Sequence, residues 1–282
     1  MRKIHKLFKI FIPAMLGSTL IAATAAALAL CLTYQPDIGN IRMRSPLAIF
    51  FVITTLLATV VPVVFITMFN DLKINRTKRD IPSVRFASIF AFIALAFYEV
   101  ADSIYVIQNG FEAWRFLRVF VSLLFLALLV FTVLPSKISI PPIVRHIFDA
   151  AAPIFSVVSI LSIYFWGGAD PLPEYFEILF IMTHALFALF FLFDFKWKVV
   201  KTSARAYTAL SSMAFVFGAI VSVASLIGVF VRDDLFTKQQ LSICLFEIIL
   251  ILGLSVYSLS KTLAVKATVD HIIKTSIEHS EK

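Results

Sequence analysis

Eight separate stretches of this chain are each long and apolar enough to approach or meet the length of a bilayer crossing, and nothing else in the sequence constrains its fold as tightly. A spanning helix needs about 20 predominantly apolar residues. The stretches lie at 11–32, 47–69, 86–107, 117–135, 150–166, 175–195, 208–231 and 241–260. Hydrocarbon offers no partner to an open backbone group, so each is expected to be an α-helix. The fold class is therefore an all-α membrane protein, a bundle of about eight transmembrane helices. The fifth stretch is short and carries Pro153 near its start; a tilted span and a re-entrant segment both fit it.

Composition agrees. Hydrophobic residues make up 60% of the chain and charged residues 15%, against roughly 25% charged in a soluble domain, which excludes a water-soluble fold. The 30 Phe against 8 Gly imply packing by bulky rings more than by close backbone approach. The basic N-terminus before residue 11 resembles a signal peptide, but the apolar run at 11–32 outlasts a signal core and reads as a retained first span.

Charge sets the expected orientation. The segments 1–10, 70–85, 136–149, 196–207 and 261–282 hold 19 Lys and Arg, and the alternate segments 33–46, 108–118, 167–174 and 232–240 hold 6. The positive-inside rule puts the first set, with both termini, in the cytoplasm. Omitting the fifth span would spoil this asymmetry, so charge supports eight crossings. The expected location is the cell (inner) membrane of a bacterium. The net charge of +8 is distributed as orientation signals, not as a nucleic-acid surface.

The loops are short, and the sequence has no Walker A, GxGxxG, HExxH or GxSxG motif. Asn75-Arg76-Thr77 matches a glycosylation acceptor but falls in a segment read as cytoplasmic. Cys31 and Cys244 sit in or beside apolar runs, as small hydrophobes do, and suggest neither a disulfide nor a metal site.

Ionisable groups in hydrocarbon are costly and point to function by default. Glu99 and Asp102 in span three, His184 in span six and Glu247 in span eight lie roughly 12, 8, 14 and 9 Å below the outer ends of their spans, all in the outer half. Glu99 and Asp102 are three apart and share a helical face, with Tyr98 and Tyr105 placed to hydrogen-bond them. If spans three, six and eight adjoin, these six residues form a polar pocket for a small ligand or cation. The competing reading is a buried tie from Glu99 and Asp102 to Arg115 or Arg118. No metal set is assigned, because one histidine is too few, and no cofactor is implied.

Other features read as architecture. Ser211, Ala214, Gly218, Ser222 and Ser225, and Ser18, Ala22 and Ala26, form small-residue stripes for close helix packing. Pro62 should kink span two. Trp114, Trp166 and Trp197 fall at span ends, like interfacial anchors, and Asp194 pairs with Lys196 or Lys198. After a transmembrane unit of 1–260, residues 261–282 form a second region. There Val265, Val269, Ile273 and Ile277 predict an amphipathic cytoplasmic helix that dimerises, lies on the anionic leaflet, or docks on the loops or on a cytoplasmic partner.

Short loops, an outward-facing polar group and a helical cytoplasmic exit are similar in outline to the multi-helix sensory domains that precede histidine kinases or helix-turn-helix regulators in bacteria. The similarity is one of architecture, with no shared motif and no effector domain. A microbial rhodopsin is excluded, since neither span seven nor span eight carries a lysine for a Schiff base. A receptor-like sensory module is the leading expectation, ahead of a small transporter and an intramembrane enzyme. Transporters of this size favour inverted repeats with broken helices, and none is evident.

Overall fold

The computed structural model describes residues 2–42, 44–68, 81–109, 113–133, 141–165, 172–200 and 203–280. Its eight helices are α1 (Arg2–Thr33), α2 (Pro46–Thr67), α3 (Pro82–Asn109), α4 (Ala113–Val133), α5 (Pro142–Tyr164), α6 (Glu174–Val200), α7 (Ala204–Val231) and α8 (Lys238–Ser280). Each contains an apolar window long enough to cross a membrane. Prolines mark three of the starts, Pro46, Pro82 and Pro142, where a missing N–H forfeits no helical bond and φ is already helical. Residues 75–77 and Trp166 lie outside the described residues.

The fifth span is a helix of 23 residues, about 34 Å long, so it has the length of a crossing and is not a short re-entrant turn. Pro153 lies inside it, and hydropathy alone understated the helix because its first turns carry Arg145, His146 and Asp149. The fourth span also begins earlier than expected. Ala113, not residue 117, opens α4, which places Arg115 and Arg118 within the helix instead of in a loop.

Helices α3, α4, α5, α6, α7 and α8 pack each against the next, and α8 returns to α3, forming a closed ring. Outside it, α1 and α2 pack on one another and on α7. This sandwiching makes α7 the most enclosed helix, with Ser211, Ala214, Gly218, Ser222 and Ser225 all buried, so the small-residue stripe is filled from within the chain. The α3–α8 contact is close: a Cβ on Gly253 would stand 2.8 Å from the Cβ of Ala94. Large apolar side chains such as Phe50, Leu56, Phe86 and Phe120 face outward, the surface a bilayer covers and water would not tolerate.

Both chain ends lie at one end of the bundle, since His5 Nδ1 of α1 is 2.5 Å from Asp270 Oδ1 of α8. An even number of antiparallel helices brings the two ends together in this way. At the opposite end the α1–α2 connection forms a two-stranded hairpin, β1 (Tyr34–Gln35) and β2 (Asn40–Ile41). Gly39 turns it at φ 62°, a left-handed conformation that suits glycine. Its carbonyl accepts from the backbone N–H of Tyr175, and Arg232 donates to the Tyr34 carbonyl at 3.1 Å, fastening the hairpin to the ends of α6 and α7.

Helix α8 runs 43 residues without interruption, about 64 Å, roughly twice the hydrocarbon thickness. Residue 260 is not a break in it. Val265 and Val269 are fully buried, and Ala264 packs with Ile81 and Val84 at the start of α3. The first turns of this stretch thus pack against other helices of the chain, and the side chain of Ile277 lies outside the described residues.

Candidate functional site

The acidic residues of α3 and α8 meet the first turns of α4. Asp102 sits 7 residues from the α3 end at Asn109, and Arg115 sits 2 residues after the α4 start at Ala113. A three-residue connection makes these helices an antiparallel hairpin, so the first turns of α4 lie alongside the last turns of α3, and the long Arg115 side chain reaches down to Asp102. Arg115 Nη1 donates to Asp102 Oδ1 at 2.8 Å, with both side chains 1% exposed. One turn deeper, Ser122 hydrogen-bonds the Glu99 carboxylate.

Arg118 is the centre of a second chain of contacts. It donates to Glu247 Oε2 at 2.7 Å and to the Tyr98 hydroxyl at 2.5 Å. Glu247 Oε1 in turn lies 2.6 Å from His184 Nε2. Four helices, α3, α4, α6 and α8, thus converge through side chains on one pair of opposite charges. The guanidinium of Arg118 also lies over the Tyr98 ring at 4.3 Å and that of Arg115 over Tyr105 at 4.1 Å, where the ring faces favour a cation. Desolvation on this scale is tolerated only because each charge meets an opposite charge and further hydrogen bonds.

Three carboxylates, Glu99, Asp102 and Glu247, are accompanied by two guanidinium groups and one imidazole. Asp102 Oδ2, Arg118 Nε and His184 Nδ1 are buried polar atoms without a hydrogen-bond partner. In a desolvated site such atoms are the ones a bound group would satisfy.

A second polar cluster occupies the end of the bundle that carries the termini. Lys198 of α6 bridges Asp149 of α5 at 2.7 Å and Asp194 at 2.8 Å, and the Tyr207 hydroxyl of α7 donates to Asp194 at 2.9 Å. Lys261 of α8 lies over the Tyr257 ring at 4.8 Å. Asp194 therefore chooses Lys198 of its two neighbours, while Lys196 faces the Phe193 ring at 6.0 Å. Trp197 is only 6% exposed and meets the Tyr207 ring edge-on at 4.1 Å, so it is a core residue and not an interfacial anchor.

Between the two clusters lies a layer of rings. Phe155 adjoins His184 and Phe125, Phe125 adjoins Phe191, and Phe191 adjoins Tyr257 and Phe190. Phe190 then reaches Tyr207. These rings separate one polar layer from the other.

The structure thus gathers the expected residues into one layer but groups them differently. His184 and Glu247 touch. Glu99 and Asp102 each bind a separate α4 side chain, and both tyrosines lie beneath arginines instead of simply flanking the acids. Spans three and eight adjoin directly, whereas span six reaches span eight through the His184–Glu247 contact and the Phe191–Tyr257 rings. The residue that sequence reasoning undervalued is Arg118. The signal was present: Arg115 and Arg118 repeat the three-residue spacing of Asp102 and Glu99 on the next antiparallel helix, a complementary pattern. Among the described residues no group of three or more His, Cys, Asp or Glu side chains is placed to hold a metal ion. The chain matches no family model, no curated protein and no solved structure.

Proposed function

We propose that the chain is a receptor-like membrane module in which a small ligand or cation engages the Glu99–Asp102–Arg115–Arg118–His184–Glu247 layer and α8 carries the change to the cytoplasmic end. One observation carries this reading: Glu247, held by α4 and α6, lies on α8, which runs unbroken from that layer to the end that carries the termini. A ligand presenting a positive group would compete with Arg115 or Arg118 for Asp102 or Glu247, and one presenting an anion would compete for the guanidinium groups. Either trades one buried pair for another, so two arrangements of similar energy are available, as a two-state element requires.

Orientation supports the same reading. Setting aside Arg115, Arg118, Lys198 and Lys261, which the structure engages in its two clusters, the Lys and Arg tally becomes 17 at the terminal end against 4 at the other. The positive-inside rule then puts the Arg118–Glu247 layer in the outer half and the α8 extension in the cytoplasm. The purely architectural reading draws on the Asp102–Arg115 bridge and assigns the same pairs only to holding helices together.

The two readings part on transmission. Glu247→Gln weakens both contacts to Glu247 without altering shape, and hydrogen exchange is followed along α8 in the purified protein in bicelles. Faster exchange across 261–280, relative to α1 and α2, is expected. A uniform loss of protection, or no change beyond residue 260, would remove the transmitting role. A thermal-shift panel of sodium, potassium, calcium, magnesium, simple amines and amino acids, run on wild type, E247Q and the E99Q/D102N pair, tests binding directly. A stabilising member lost in the variants is expected, and uniform response of all three proteins would argue against the site.

A further inference from the structure

A cavity of about 280 Å³ lies between the last turn of α2 and the first turns of α7, lined by Val63, Ile66, Thr67, Ser203, Arg205, Ala206 and Ala209. Its α2 lining all follows Pro62, which withholds the N–H that would bond the Ala58 carbonyl and loosens the helix at that point. Its α7 lining is small apart from Arg205, so among the described residues no bulky side chain fills the wedge. Val63 and Thr67 are exposed at its mouth, so it opens toward lipid.

The lining is graded. Val63, Ile66, Ala206 and Ala209 are apolar, whereas Thr67, Ser203 and Arg205 collect where the apolar windows of α2 and α7 end at Val64 and Ala204. That is headgroup depth. Arg205 pairs with no acidic side chain among the described residues, and Ser203 makes no capping bond with its hydroxyl. An apolar slot topped by a guanidinium and a hydroxyl fits one class of molecule already surrounding the protein. We propose that this wedge is a binding site for an anionic phospholipid, with Arg205 on the phosphate and the head of an acyl chain against Val63, Ile66 and Ala209. It is separate from the ligand layer proposed above, since it lies outside the ring and at the other end.

A single cation at the surface of an anionic leaflet adds about fivefold in affinity. Native mass spectrometry of the full chain in detergent, with added phosphatidylglycerol or phosphatidylcholine of identical chains, should show about fivefold preferential retention of phosphatidylglycerol. Arg205→Gln should abolish the preference, and Ala209→Trp, which fills the slot and keeps the charge, should reduce retention of both lipids. A photoactivatable phosphatidylglycerol on the wild-type protein needs no variant; its adducts should map to 63–67 and 203–209. Equal retention of the two lipids, an unchanged preference in R205Q, or adducts confined to other helices would each overturn the proposal.

Discussion

Replacing Arg118 with Met tests the buried layer most directly. The side chain is 1% exposed and supplies hydrogen bonds to Glu247 and Tyr98, and methionine fills a similar apolar volume without the charge. If these contacts behave as ordinary intramembrane hydrogen bonds, about 0.6 kcal/mol each, their loss costs little more than about 1 kcal/mol. If they neutralise a desolvated carboxylate, removal strands Glu247 with His184 as its remaining partner, at a cost of about 3–5 kcal/mol. The geometry favours the larger figure, because Glu247 is only 4% exposed. The cycle R118M, E247Q and R118M/E247Q, followed by reversible unfolding in bicelles, decides between them. The double variant should recover most of the loss, giving a coupling of about 2–3 kcal/mol. A loss below about 1 kcal/mol for R118M, or losses that simply add, would refute the argument.

Three further outcomes are expected. Gly253→Val should part α3 from α8, where even a Cβ meets Ala94 at 2.8 Å, lowering stability by about 1–3 kcal/mol in thermal unfolding. Arg232 holds the exposed Asp234 carboxyl below its usual range, chiefly through their hydrogen bond; the depressed folded value means stability present above the unfolded value of about 3.9 and lost as pH falls through the folded one. Melting curves of wild type and Asp234→Asn should therefore differ slightly at neutral pH, by no more than about 0.5 kcal/mol for so exposed a pair, and converge in acid. Finally, a membrane-impermeant thiol reagent should label a cysteine at exposed Asp233 in intact cells, and a cysteine at exposed Lys9 only after permeabilisation; the reverse pattern would invert the topology.

The crossings were legible because hydropathy acts on each segment separately. Helix α5 was the exception, its polar first turn hiding its length, and there the basic-residue asymmetry compensated. Three acids and one histidine of the site were legible for the same local reason: Glu99, Asp102, Glu247 and His184 are conspicuous in hydrocarbon. Their partners were not, since choosing Arg118 for Glu247 depends on which helices adjoin, a three-dimensional fact that no single segment encodes. Arg115 and Arg118 were also masked by their position at the start of α4, where cations read as loop residues. The cluster around Lys198 was half visible, Asp194 and Lys198 being one helical turn apart, but the reach to Asp149 crosses 49 residues of chain.

The uninterrupted course of α8 has a mechanical side. From Glu247 to Ser280 the helix extends about 50 Å, and a rod of that length is a lever. A tilt of about 5° pivoting at Glu247 carries the far tip through about 4 Å, more than the length of the hydrogen bonds that hold the pivot. In the receptor-like arrangement proposed above, a displacement too small to reorder the ring would emerge at the end of this helix on the scale of ångströms once the contacts of Val265, Val269 and Asp270 with the neighbouring helices release it.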